Sequence, residues 1–128
     1  MPAWDDYKEA ARARGSLAFE LYVVQSIPAG DVDLLQATLP DHLAYQNARE
    51  AAGDLVFAGP MSDETGTQMQ GMGLIVYRAE SFEAARALAD ADPMHKAGAR
   101  TYVLRKWMIN EGNLSLNVRL SAQNVALS

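Results

Sequence analysis

The sequence contains two histidines, His42 and His95, and the second closes the run Asp92-Pro93-Met94-His95. Imidazole is the side chain whose intrinsic titration lies nearest neutrality, so either residue can act as a general acid or base. A carboxylate bonded to one ring nitrogen fixes the tautomer and supports the other nitrogen as the base, a part Asp92 could take. Spacing alone leaves the plainer readings open as well: His42 as an ordinary boundary histidine, and Asp92 as a helix-ending Asp-Pro turn. The two histidines with Asp92 also admit a metal reading. No third carboxylate is fixed by spacing, however, and no metalloprotease motif occurs, so no metal is expected. Arg105 interrupts an apolar alternation beside Val103 and Trp107. There it either binds a substrate carboxylate or extends its guanidinium to solvent. Ser62 begins Ser62-Asp63-Glu64-Thr65-Gly66, which is either a turn between strands or a lid carrying that hydroxyl to a cleft.

Other chemistries find no footing. The chain has no cysteine, which removes thiolate nucleophiles, disulfides and cysteine metal sites. Neither a Gly-x-Ser-x-Gly elbow nor a phosphate loop occurs, and Gly71-Met72-Gly73 opens a strand where a nucleotide fingerprint would join strand to helix. The six methionines read as gap-filling core residues in preference to a copper site.

The elements that must position these groups follow from periodicity and punctuation. Residues 2–14 place Trp4, Tyr7 and Ala11 at helical spacing before Gly15, predicting a short N-terminal helix. Residues 17–24 are aromatic and branched, a strand. A connector with Pro28, Gly30 and Asp31 leads to a helix expected to begin near Pro40, which suits a first helical position. That helix would bury Leu43, Ala44, Asn47, Ala48 and Ala51 and stop at Gly53. His42 would then lie in its opening turn, where the helix dipole favours the neutral imidazole. Further strands are expected over 55–58 and 71–78, with a polar loop over 61–70. Ser81 should cap a helix running to about Asp90, ended by Asp92-Pro93. A last core strand spans about 101–109. The order β-α-β-β-α-β is the ferredoxin-like α+β pattern, an antiparallel sheet with two helices on one face. Because those helices lie side by side, the start of one falls near the end of the other, so His42 and Asp92 could meet. Leu114, Leu116, Val118 and Leu120 alternate with polar residues and predict an added C-terminal edge strand.

The chain's 128 residues suit one domain, with a core over about 17–112, an N-terminal helical extension over 1–15 and a tail over 113–128. Hydrophobic residues make 49% and charged residues 21%, as in ordinary globular domains. Sixteen acids against eleven bases give a net charge of −5, which argues against nucleic-acid binding. No apolar run approaches the roughly 20 residues of a membrane span, and no signal peptide opens the sequence. A cytoplasmic protein with neither membrane nor nucleic-acid partner is expected. A sheet covered by helices on one face should be polar on the other, yet residues 74–77 are apolar regardless of parity. Such a face usually marks an interface, so a homodimer joined through it is expected. The tail or the N-terminal helix folding over that face is the alternative.

Three segments in order carry a resemblance: Leu39-Pro40-Asp41-His42-Leu43-Ala44-Tyr45, then Gly53-Asp54-Leu55-Val56-Phe57-Ala58-Gly59-Pro60, then Ala89-Asp90-Ala91-Asp92-Pro93. Over about 17–112 the chain resembles the YCII-related (YciI-like) family. The resemblance implies a ferredoxin-like fold of the dimeric α/β-barrel superfamily and a His–Asp pair falling on His42 and Asp92. It further implies elimination or related proton-transfer chemistry on a small molecule, without a redox cofactor. Many members have a bulky residue after Asp-Pro where this chain has Met94-His95, which marks His95 as a residue that modifies the pocket. The expectation is a cofactor-independent enzyme acting by elimination or isomerisation on a small metabolite. His42 and Asp92 would be catalytic, and Ser62, His95 and Arg105 would contact the substrate. A noncatalytic small-ligand-binding or stress-associated dimer is the alternative, and a haem-linked or oxygen-using monooxygenase a third possibility.

Overall fold

The computed structural model describes residues 1–128. In chain order its elements are α1 (Trp4–Ala13), β1 (Phe19–Pro28), α2 (Val32–Ala52), β2 (Leu55–Ser62), β3 (Met69–Tyr77), α3 (Phe82–Ala91), α4 (Pro93–Lys96), β4 (Arg100–Ile109), β5 (Leu116–Arg119) and β6 (Asn124–Leu127). The chain divides into a larger unit over 20–107 and a smaller one formed by 1–19 with 108–128.

The larger unit holds the ferredoxin-like arrangement. β1 to β4 form one sheet in the order β2-β3-β1-β4, which places the first and third strands at its centre. β1 and β3 run antiparallel with Tyr22 opposite Tyr77 and Val24 opposite Ile75. These residues share one face, where they are buried with Leu104 of β4 and Ala85 and Ala89 of α3. Ala85 and Ala89 stand one helical turn apart, and their small side chains let α3 lie close on the strands. Phe82 meets Tyr22 edge-on, with ring centroids 6.3 Å apart, a geometry the aromatic quadrupoles favour. Ser81 caps α3 as its sequence predicts, accepting from the Ala84 N–H at 3.0 Å.

The helix carrying His42 departs from its expected start. α2 opens at Asp31, whose carboxylate accepts from the Leu34 N–H at 2.7 Å, and it runs unbroken past Pro40 to Gly53. A proline inside a helix removes one backbone donor, here the one that would serve the Gln36 carbonyl. Both Gln36 and Pro40 are exposed, so water can take that place. The inward face of the helix also differs from the expected one. The inward positions are Leu34, Thr38, His42, Tyr45 and Arg49, while the expected stripe of Leu43, Ala44, Asn47, Ala48 and Ala51 is exposed throughout. His42 therefore lies mid-helix, beyond the reach of the terminal dipole, which fades within the first turn.

Strand pairing extends further than expected around the polar loop. β2 continues through Pro60 to Ser62 and β3 starts at Met69, with register shifts between Leu55 and Phe57 and between Pro60 and Ser62. The remaining turn is tied by Asp63, which accepts from the Thr65 N–H and hydroxyl at 3.1 and 2.6 Å.

In the smaller unit, α1 buries Ala11 and stops at Gly15, whose φ of 89° is the left-handed conformation that suits glycine. The Leu17 N–H donates to the Asn110 carbonyl at 3.0 Å. The C-terminal alternation does not join the four-stranded sheet as an edge. β5 instead pairs antiparallel with β6, Val118 opposite Val125, because Asn124-Val125-Ala126-Leu127 supplies a nearer set of backbone partners. No helix of the chain is long and apolar enough to cross a membrane.

Candidate functional site

α2 and the junction between α3 and α4 bring His42 and Asp92 together. Asp92 is fully buried and His42 is 16% exposed, and the imidazole Nδ1 stands 2.8 Å from Asp92 Oδ1 and 2.9 Å from Oδ2. Pro93 explains why the carboxylate points this way. It holds Asp92 in extended backbone (φ −61°, ψ 125°), ending α3 and opening α4 with proline at its start. As the cap of α4, Asp92 Oδ1 also accepts from the Met94 N–H at 2.9 Å. A carboxylate only accepts, so Nδ1 carries the proton between the two side chains and Nε2 presents its lone pair. Nε2 makes no hydrogen bond within the chain.

His42 forms part of the wall of a cleft of about 300 Å³ between α2 and the β2–β3 hairpin. Leu39, Leu43 and Gln46 continue the helical wall, and Gly59, Pro60, Met69 and Met72 form the opposite one. Ser26, Met94 and Arg100 lie among the remaining lining residues. The wall is mostly apolar with a few polar groups, the usual make-up of a small-molecule pocket.

A second hydrogen-bonded chain stands beside the first. His95 Nδ1 donates to the Ala89 carbonyl at 2.7 Å, and its Nε2 lies 2.8 Å from Ser26 Oγ. Arg100 Nε donates to that same oxygen at 2.8 Å, so the hydroxyl proton of Ser26 goes to His95 Nε2 in the neutral ring. Arg100 Nη2 donates to the Ser26 carbonyl at 2.8 Å and also to the Gly71 carbonyl. Gly71 has φ of 91°, and a Cβ there would meet Pro28 Cγ at 3.0 Å. Burial lowers the Arg100 pKa from its ordinary value, and the Asp92 charge opposes that shift.

The YCII-related domain model matches residues 21–108. The chain belongs to the YCII-related family. Among solved structures it is similar to 5-chloro-2-hydroxyhydroquinone dehydrochlorinase from Burkholderia phenoliruptrix AC1100, in complex with 2,5-dihydroxybenzoquinone. That likeness has a TM-score of 0.54 at 22% identity and covers 68% of this chain and 92% of that one. It supports the ferredoxin-like fold. No curated protein matches the sequence.

Within this YCII-related domain the five residues singled out in the sequence are placed differently. His42 and Asp92 form the pair just described. His95 does not line the cleft and reaches it only through Ser26. Ser62 lies at the end of β2 with its hydroxyl donating to the Asp63 carbonyl, beside a separate depression that includes Met61, Glu64 and Gln70. Arg105 projects from the sheet face opposite the helices and donates to Gln25 there. Neither Ser62 nor Arg105 lines the cleft with His42. The polar groups that do, Ser26, Gln46 and Arg100, were not predicted. Strand parity carried a signal for the last, since Arg100 shares its side of β4 with the buried Leu104, and Arg105 shares the other with Val103 and Trp107. No group of three or more His, Asp or Glu side chains is placed to hold a metal ion.

Proposed function

We propose that this chain is a cofactor-independent enzyme that moves a proton on a small molecule, in an elimination or an isomerisation. The observation that carries the reading is the His42–Asp92 pair, with Nδ1 tied to a buried carboxylate and Nε2 unbonded at the wall of a cleft. In the proposed step Nε2 takes a proton from a substrate carbon, and Asp92 stabilises the imidazolium that forms. The electron pair of the broken C–H bond becomes a new double bond. In an elimination it expels a leaving group from the neighbouring carbon. In an isomerisation the same proton returns from Nε2 to another carbon. The structurally similar dehydrochlorinase supports placing elimination first.

The test is a screen of β-substituted and isomerisable carbonyl and quinol compounds against the wild type, His42→Ala and Asp92→Asn. Asp92→Asn keeps an acceptor for the Met94 N–H and removes the charge. Loss of general-base catalysis should lower kcat by about 10²–10⁴-fold in both variants. A substrate turned over equally well by His42→Ala would overturn the reading.

We further propose that two copies associate through the sheet face opposite the helices. Phe57, Val103 and Trp107 are 51%, 50% and 46% exposed, and they add to the apolar surface of Val23 and Leu74 there. Large apolar surfaces of this kind usually belong to interfaces.

A further inference from the structure

The cleft contains a cation without a counter-ion. Among its lining residues there is no Asp and no Glu, although the chain as a whole carries a net charge of −5. Arg100 is the lining residue with a permanent charge, and it joins no salt bridge. Asp92, the acid whose charge acts on it, lies behind the wall, bound to His42 and the Met94 N–H.

The guanidinium is also held in place. Nε is fixed to Ser26 Oγ, whose own proton is taken by His95, and Nη2 is fixed to two backbone carbonyls. Nη1 is left without a partner in the chain. A planar donor locked along one edge and open along the other is prepared for an anionic oxygen. Withdrawing a charge part-way from water with only neutral hydrogen-bond partners carries a cost, and a ligand anion would offset it. Around this cation the wall is thioether and aliphatic: Leu39, Leu43, Met69 and Met94.

We propose that Arg100 is the substrate-anion anchor of the cleft, and that the ligand is an apolar or aromatic body bearing a carboxylate or comparable anionic oxygen. This deepens the proton-transfer reading, on which it rests for the placing of the reacting carbon near His42. Ser26 and His95 are positioning residues that hold the guanidinium, and Arg105 has no part in the anchor.

The test measures binding alone, by calorimetry and by the imidazole NMR signals of His42. The probes are benzoate and phenylacetate, set against their neutral isosteres benzamide and phenylacetamide. The wild type should bind the carboxylates at least about tenfold more tightly, as charge-assisted hydrogen bonds imply. Arg100→Gln should erase that preference, Arg100→Lys should restore part of it, and Arg105→Gln should leave it intact. Equal binding of acids and amides by the wild type, or an undiminished preference in folded Arg100→Gln, would overturn the proposal. Because the wild-type comparison needs no variant, misfolding of Arg100→Gln leaves the test decisive. His42→Ala should retain the carboxylate preference, so failure of the anchor and failure of the catalytic reading give different results.

Discussion

Removing the His42 imidazole takes from Asp92 its side-chain hydrogen-bond donor. The carboxylate is fully buried and would keep only the Met94 N–H. Leaving a buried group unsatisfied costs about 1–3 kcal/mol, so His42→Ala should lower the thermal midpoint by roughly 3–10 °C. That loss would say nothing about catalysis, because it comes from the stranded carboxylate. The double variant His42→Ala/Asp92→Asn should recover most of it in a thermal melt. A different balance holds at Tyr77, whose buried hydroxyl has no hydrogen-bond partner. Burial raises its pKa far above the ordinary 10.0. The unfolded chain therefore loses this proton near pH 10 and the folded chain keeps it. Tyr77 contributes stability that is present below pH 10 and is lost as the pH rises beyond it, by about 1.4 kcal/mol per pH unit. Urea denaturation between pH 9 and 11 should show this slope, and Tyr77→Phe should reduce it by one proton.

Among the elements, α2 sets the site and was the hardest to read from sequence. Its strands and its partner helix announce themselves: alternation marks β1 and β3, and Ser81 with Asp92-Pro93 brackets α3. Pro40 misleads because proline is most at home in a helix's first turn, while the capping Asp31 sits among loop-like residues. The helix also packs by a different face: the predicted stripe is exposed, and His42, Tyr45 and Arg49 lie inward. The His42–Asp92 pairing was legible from the side-by-side packing of the two helices and the family resemblance, but the expected contact of helix start with helix end was not: His42 meets Asp92 from the middle of α2. Ser26 was not legible, since a polar residue at the end of a strand looks the same whether it meets solvent or a cleft; for Arg100 the parity it shares with Leu104 was a usable signal. Proline in a helix interior costs up to about 3 kcal/mol relative to alanine, partly offset by its stiffening of the unfolded chain. Pro40→Ala should therefore raise the thermal midpoint by several degrees, about 3–8 °C. It should also alter ligand affinity in the cleft, since Leu39, His42 and Leu43 flank the substituted turn. Parallel melts and titrations of the two proteins would measure both effects.

For the whole molecule, the sheet face opposite the helices, where Leu21 and Val76 are buried but Phe57, Val103 and Trp107 stay about half exposed, makes the clearest prediction. If two chains meet there, light scattering should give about twice the 13.9 kDa chain mass. Val103→Glu should return the protein to a single chain, because a carboxylate would have to be buried without a partner. As Val103 is half exposed in the single chain, its circular dichroism should not change. The imidazole and its carboxylate are carried by α2 and the α3–α4 junction, whereas Gly59, Pro60, Met69 and Met72, which face them across the cleft, belong to the β2–β3 hairpin. The two walls of the cleft are thus supplied by separate stretches of the chain, α2 on one side and the β2–β3 hairpin on the other. Exchanging residues 59–72 between family members would reshape the wall opposite His42 and leave the His42–Asp92 hydrogen bonds in place, so one scaffold can present differently shaped clefts beside the same pair.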